Sequence, residues 1–243
     1  MTFFARRTGR GHDLRRADAA AGAALAVLGL LLVTSWQTLP AWLPEPVTSA
    51  LAASGLIGYS VVWLPLLAAV LVASRWHGTG SLRRDLGLRF QAIDLIWGLA
   101  IGLLARTAAS VIEIIGYGRV GSAPGVTFGV PSHDGWWLFG ALLAPVLIAP
   151  VIEELFFRGL VLRSVFAATP GAAAAGVAIG VSGLSFALLH VVSATSPTEA
   201  VVVGAGTLLF GLAAASASIL TGRIGAAMVA HVMFNALVLV PAL

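Results

Sequence analysis

A double glutamate followed by an arginine, Glu153-Glu154-Leu-Phe-Phe-Arg158, stands in a strongly apolar stretch that opens at Pro150 and closes at Gly159. An ionised group in such surroundings costs several kcal/mol unless it is paired, hydrated or used. Consecutive helical residues point about 100° apart, so one glutamate can turn to Arg158 while the other faces a cavity. Glu154 and Arg158, four apart and in the favoured order, form the natural pair. On its own that pair reads as a clamp between helices. The clamp leaves Glu153 without a task, and likewise two later histidines, in Phe186-Ala-Leu-Leu-His190 and His231-Val-Met-Phe-Asn235. Residues four apart share a helix face, so Phe186 lies beside His190 and His231 beside Asn235. Together these types suit hydrolysis of an amide. A carboxylate and an imidazole take a proton from water, while a second imidazole and a carboxamide stabilise the oxyanion. One such oxyanion donor contributes about 3 kcal/mol, roughly two powers of ten in rate. Glu153, His190 and His231 would also make a His2Glu set of the kind that binds catalytic zinc, so the cofactor is either none or one divalent metal. No H-E-x-x-H is present and the three ligands come from three segments, which weighs against the metal.

The elements that must carry these residues are membrane helices. Of 243 residues 59% are hydrophobic and 10% charged, and the mean hydropathy is +0.98. Soluble domains carry about 25% charged residues, so the chain is read as an all-α polytopic membrane bundle. The length fits about seven spans of roughly 20 residues, with an eighth possible. Six fall over residues 19–39, 51–73, 92–115, 173–190, 200–220 and 224–240, and the fourth in order begins near Trp136 and carries Pro145, Pro150 and the double glutamate. Residues 1–18 form an Arg-rich cytosolic N-terminus, 19–135 a set of N-terminal helices, and 136–243 a core of catalytic type. All fourteen basic residues are arginines. Placing the N-terminus inside puts the loop over 75–89, Arg163 and Arg223 on the cytosolic side, as the positive-inside rule requires. No aromatic residues interleave the arginine clusters, which argues against nucleic acid. The absence of cysteine excludes disulfides and thiolate chemistry.

Other polar residues are weaker candidates. Arg106 and Glu113, seven apart in the third span, are too distant for an i,i+4 pair and could line a cavity or support a neighbour. His133 and Asp134 sit in a Gly- and Pro-rich loop read as external, and adjacent ligand types there are commonly chance. Trp36, Trp42, Trp136 and Trp137 mark the interface. Pro145 and Pro150 predict a broken or bent fourth span, which places the double glutamate beside a cavity rather than lipid. Small residues Gly176, Gly180, Ser182, Gly183 and Ser185 predict close packing of the fifth span.

Depth raises one difficulty. A tight turn over 167–171 leaves Glu154 and His190 mismatched by about 9 Å at 1.5 Å per residue. The expected resolution is a short interfacial helix over 158–168 and a late start to the fifth span.

The three motifs resemble those of the CPBP family, the CAAX prenyl-protease and bacteriocin-processing intramembrane proteases also called Abi. The resemblance covers about residues 136–240 and rests on Glu153-Glu154 with Arg158, Phe186 with His190, and His231 with Asn235. It implies an eight-helix or near eight-helix protein with a cavity open toward the cytosol. Glu153 with His190 would activate water, His231 and Asn235 would bind the oxyanion, and Glu154, Arg158 and Phe186 would support them. The implied activity is an intramembrane endopeptidase acting on a membrane peptide or membrane-anchored protein, in the lipid bilayer of a bacterial inner membrane. Two other readings stand beside it. A non-catalytic membrane protein could bind or escort a peptide or partner with the same polar set. A transporter would need repeats and a polar path to both sides, and no repeat is evident.

Overall fold

The computed structural model describes residues 21, 23–25, 27–32, 56–120 and 135–240. The arginine-rich N-terminus, Trp36, Trp42, the first proline-rich loop, His133 and Asp134 lie outside the described residues. Eight helices follow in order: α1 Ala23–Leu32, α2 Leu56–Val72, α3 Leu82–Asp85, α4 Ile93–Tyr117, α5 Phe139–Ala168, α6 Ala174–Val191, α7 Pro197–Thr221 and α8 Gly225–Leu239. Four of them, α4 to α7, are long and apolar enough to cross a membrane. Leu95, Ile96, Leu99, Leu103 and Leu104 on α4 are exposed, which only a lipid environment makes sensible. The protein is a multi-span, all-α membrane bundle, and the shorter apolar helices α1, α2 and α8 pack with the four long ones.

Local signals set the ends. Ser196 accepts from the Glu199 N–H at 3.2 Å and Pro197 follows it, while the Glu199 carboxylate takes the Thr195 N–H at 2.9 Å. These reciprocal bonds start α7, with Ser196 as its N-cap. Gly222, at φ +67°, ends it with a bond from its N–H to Ser218 O, a left-handed cap that glycine adopts without strain.

Close approach explains two helix pairs. A Cβ on Gly211 of α7 would stand 3.0 Å from Gly183 Cα on α6, so these backbones touch. On α4, a Cβ on Gly98 would stand 2.3 Å from Val229 Cβ of α8. Gly176 and Gly180, expected at a packing face, meet nothing within 4 Å. Small size permits contact but does not say which face is used.

α5 is continuous. It is α-helical over Ala149–Glu154 and Leu162–Ala168 and widened to π turns over Phe139–Ile148 and Leu155–Val161. The expected interfacial helix over 158–168 is therefore the end of α5, and Arg158 within it is fully buried. The depth difficulty resolves in the turn. Residues 169–173 are non-helical, so Glu153 stands 168 − 153 = 15 residues from its end of α5 and His190 stands 190 − 174 = 16 from the start of α6. The two arrive level.

Two polar clusters tie the ends of the helices. Arg223 grips the buried Asp94 at the start of α4, with Nε 2.8 Å from Oδ2 and Nη2 2.8 Å from Oδ1. Asp85 of α3 accepts from Ser74 Oγ at 2.6 Å, Thr79 Oγ1 at 2.8 Å and the Thr79 and Ser81 N–H groups. Its partial burial pushes the carboxyl up, but these bonds outweigh burial and hold it below the usual carboxylate range.

Candidate active site

Four phenylalanines, Phe156, Phe157, Phe186 and Phe210, are 0–1% exposed and make the apolar floor on which the motif rests. Arg158 lies among them, with Cζ 4.6 Å from the Phe186 ring centre and 5.5 Å from that of Phe210. Its Nη1 donates to Glu154 Oε1 at 2.9 Å and its Nη2 to Gly211 O at 3.1 Å. A guanidinium buried to this depth needs both the carboxylate and the rings.

Glu154 does more than balance Arg158. The same Oε1 stands 2.9 Å from His231 Nδ1. An oxygen of a carboxylate accepts, so the Nδ1 of His231 carries the proton and its Nε2 turns to the other side. His190 is oriented in the same way by a different group. Its Nδ1 lies 2.8 Å from Phe186 O, an acceptor alone, so Nδ1 donates and Nε2 is left as a base.

Both Nε2 atoms point at one oxygen. Glu153 Oε2 is 3.9 Å from His190 Nε2 and 3.9 Å from His231 Nε2. It is buried and has no protein hydrogen-bond partner. A separation of 3.9 Å is too long for a hydrogen bond and suits a bridging water. Phe186 holds the two rings in place, its own centre 4.4 Å from His190 and 5.4 Å from His231.

Asn235 enters through the proline pair. In the widened winding the Ala149 N–H bonds to Ala144 O, which leaves Pro145 O to a residue further along. Five residues on is Pro150, which has no N–H. The side chain of Asn235 supplies the missing donor, with Nδ2 2.8 Å from Pro145 O. Its amide is thereby oriented, and one N–H remains for another acceptor.

Glu153, His190 and His231 thus converge, Glu154, Arg158 and Phe186 pack behind them, and Asn235 is anchored on Pro145, about two turns before Glu153 on α5. Arg106 and Glu113 do not join them. They are ion-paired to each other with Ser110 between, because an extended arginine spans two turns, and the guanidinium stacks 5.4 Å from the Phe234 ring centre. The spacing argument against a pair was wrong here. Sequence reasoning gave Ser182 only a packing role; its hydroxyl donates to Phe157 O at 3.0 Å and so ties α6 to the widened turn of α5. It also missed Asp94 with Arg223 and the link between Pro145 and Asn235. A charged residue in an apolar run was the available signal for Asp94; no sequence signal marked the others.

Among the described residues no group of three His, Cys, Asp or Glu is arranged to hold a metal ion. Tetrahedral ligands about 2.0 Å from zinc stand roughly 3.3 Å from one another, whereas Glu153 Oε2 is 3.9 Å from each imidazole Nε2.

No curated protein and no solved structure matches the chain. A family model does, described as type II CAAX prenyl endopeptidase Rce1-like, and its match covers the helices that bring Glu153, His190 and His231 together. Residues 135–237 are a CAAX-protease-like domain of the Rce1 type, the family to which the three motifs pointed.

Proposed function

We propose that the protein is an intramembrane endopeptidase that hydrolyses a peptide bond of a membrane-associated peptide or protein with a water activated by Glu153 and His190. The observation that carries this reading is the meeting of two imidazole Nε2 atoms, each 3.9 Å away, on one unpartnered carboxylate oxygen. A water between Glu153 and His190 gives its proton to the carboxylate as its oxygen attacks the carbonyl carbon. The oxyanion forms against His231, which enters the step as an imidazolium beside the Glu154 carboxylate and donates from Nε2 without giving up its proton, and against the free N–H of Asn235. The C–N bond then breaks, Glu153 returns the proton to the leaving amine, and an acid and an amine depart. Glu154 and Arg158 hold His231 in place and do not touch the reacting atoms.

The wider setting fits a multi-pass protein of a bacterial inner membrane. Arginine-only basic usage and abundant alanine support a bacterial source. Seven spans, α1, α2 and α4 to α8, agree with the charge pattern, and the lipid bilayer and a membrane peptide or membrane-anchored protein are the partners.

The test is cleavage of a library of membrane peptides by purified protein in heavy-oxygen water, with and without a chelator. Solvent oxygen in the new C-terminus and indifference to chelator are expected. Absence of solvent oxygen in the first turnover would replace activated water with direct attack by Glu153. Loss of activity with chelator would make Glu153, His190 and His231 metal ligands after rearrangement.

A further inference from the structure

The segment that joins α2 to α4 has two faces. Leu86 is 3% exposed, and Leu82 and Leu88 pack with it against the core. A Cβ on Gly159 of α5 would stand 2.9 Å from Leu86 Cβ, so the inner face lies against the helix that carries the double glutamate. The outer face is of another kind. Arg75, Trp76, Arg83, Arg84, Arg89 and Phe90 are all exposed, Trp76 by 74% and Phe90 by 54%.

Asp85 shapes that outer face. It is the only acid of the segment, and its Oδ2 accepts from Ser74 Oγ at 2.6 Å and from the Ser81 N–H at 3.1 Å. The Gly80 N–H closes the same loop on Ser74 O at 2.9 Å. Residues 74 and 85 are thereby stapled side by side, with Arg75 and Arg84 flanking the staple. The carboxylate is taken up by hydroxyl and amide donors and pairs with none of the arginines. Asp94, the next acid along the chain, is held by Arg223 at 2.8 Å. Among the described residues no carboxylate stands within ion-pair distance of Arg75, Arg83, Arg84 or Arg89.

Four exposed arginines without a carboxylate call for an anion, and their position says which. α2 ends at Val72 and α4 starts at Ile93, both apolar helices, so the segment between them lies at the level of the lipid headgroups. Cations beside an exposed tryptophan and phenylalanine suit a membrane surface, where guanidiniums take phosphate oxygens and rings enter the acyl boundary. A soluble acidic peptide or a free phosphate offers the rings nothing. We infer that the outer face of residues 75–90 is a binding site for the headgroups of anionic phospholipids, with Asp85 as the residue that positions its arginines.

The full chain, stripped of lipid in detergent, is titrated with phosphatidylglycerol or phosphatidylcholine, and bound lipid is counted by native mass spectrometry. Phosphatidylglycerol is expected to bind more tightly, by about fivefold for each arginine that meets it. Arg83→Gln combined with Arg84→Gln should therefore weaken it about twenty-five-fold. Both arginines are exposed, so the double variant keeps its fold. Arg119→Gln, just beyond the far end of α4, should leave binding unchanged. Asp85→Asn separates a built site from bare charge. It makes the segment more positive, so charge alone would tighten binding, whereas loss of the staple should loosen it. Equal affinity for the two lipids, an unaltered double variant, an equal loss in Arg119→Gln, or no loosening in Asp85→Asn overturns the inference. Displacement of phosphatidylglycerol by an equal concentration of inorganic phosphate assigns the arginines to free phosphate and also overturns it. Binding needs no cleavage, so this test and the protease reading fail separately.

Discussion

Glu154 Oε1 is shared by two partners, Arg158 Nη1 and His231 Nδ1, each 2.9 Å away. One buried oxygen therefore balances the guanidinium and fixes which nitrogen of His231 faces Glu153. Glu154→Gln leaves Arg158 as an uncompensated buried cation, and breaking such a pair costs about 3–5 kcal/mol. His231→Ala leaves the Glu154–Arg158 pair intact. Thermal unfolding in detergent should show a large drop for Glu154→Gln and a smaller one for His231→Ala, although both should lose activity.

Asn235 serves a structural carbonyl and the proposed oxyanion at once. Asn235→Ala removes both donors. Activity should fall about two powers of ten in kcat with KM little changed, since the lost contact strengthens only in the transition state. Stability should fall by about 1–3 kcal/mol, because Pro145 O is left without its side-chain donor. Asn235→Asp, which turns an acceptor toward that carbonyl, should be worse on both counts. Steady-state kinetics and unfolding of the same preparations check the pair.

Glycine substitutions separate true contacts from spare ones. A methyl group at Gly211 would press on Gly183 Cα at 3.0 Å. Backbone cannot yield as a flexible side chain does, so Gly211→Ala should destabilise by about 1–3 kcal/mol. Gly176→Ala and Gly180→Ala meet open space and should be neutral or slightly stabilising, as alanine favours helix. Melting temperatures of the three variants decide this.

Asp85 gives the connector between α2 and α4 a pH dependence of known sign. Its folded-state pKa is lowered, because the bonds from Ser74, Thr79 and Ser81 outweigh partial burial. A group of this kind contributes stability that is fully present above its unfolded pKa and lost as pH falls through the folded one. The 74–85 connector should keep its hydrogen-exchange protection down to about pH 4, the ordinary aspartate range, and lose it below. Asp85→Asn should show weaker protection that no longer varies over that interval.

The parts of the site that were legible in the sequence are those set by one helix. Glu154 and Arg158 at i,i+4 had to meet, and Phe186 with His190 had to share a face. The level meeting of Glu153 and His190 was not legible, because it depends on the five-residue turn over 169–173 and on where α6 begins. Pro145 and Pro150 announced a distortion, but only the widened winding shows that it creates an acceptor for Asn235. Arg106 and Glu113 show the limit of spacing rules, since a long side chain lying along its own helix reached past the expected range.

The most direct measurement is cleavage of one identified substrate in liposomes by wild type and Glu153→Gln, purified in parallel and matched for thermal stability. Removal of the carboxylate's charge leaves its shape and packing nearly unchanged, so folding should be preserved while activity disappears. The account expects product from wild type and none from Glu153→Gln. Equal product from both proteins would contradict it, because no activated water could then depend on Glu153.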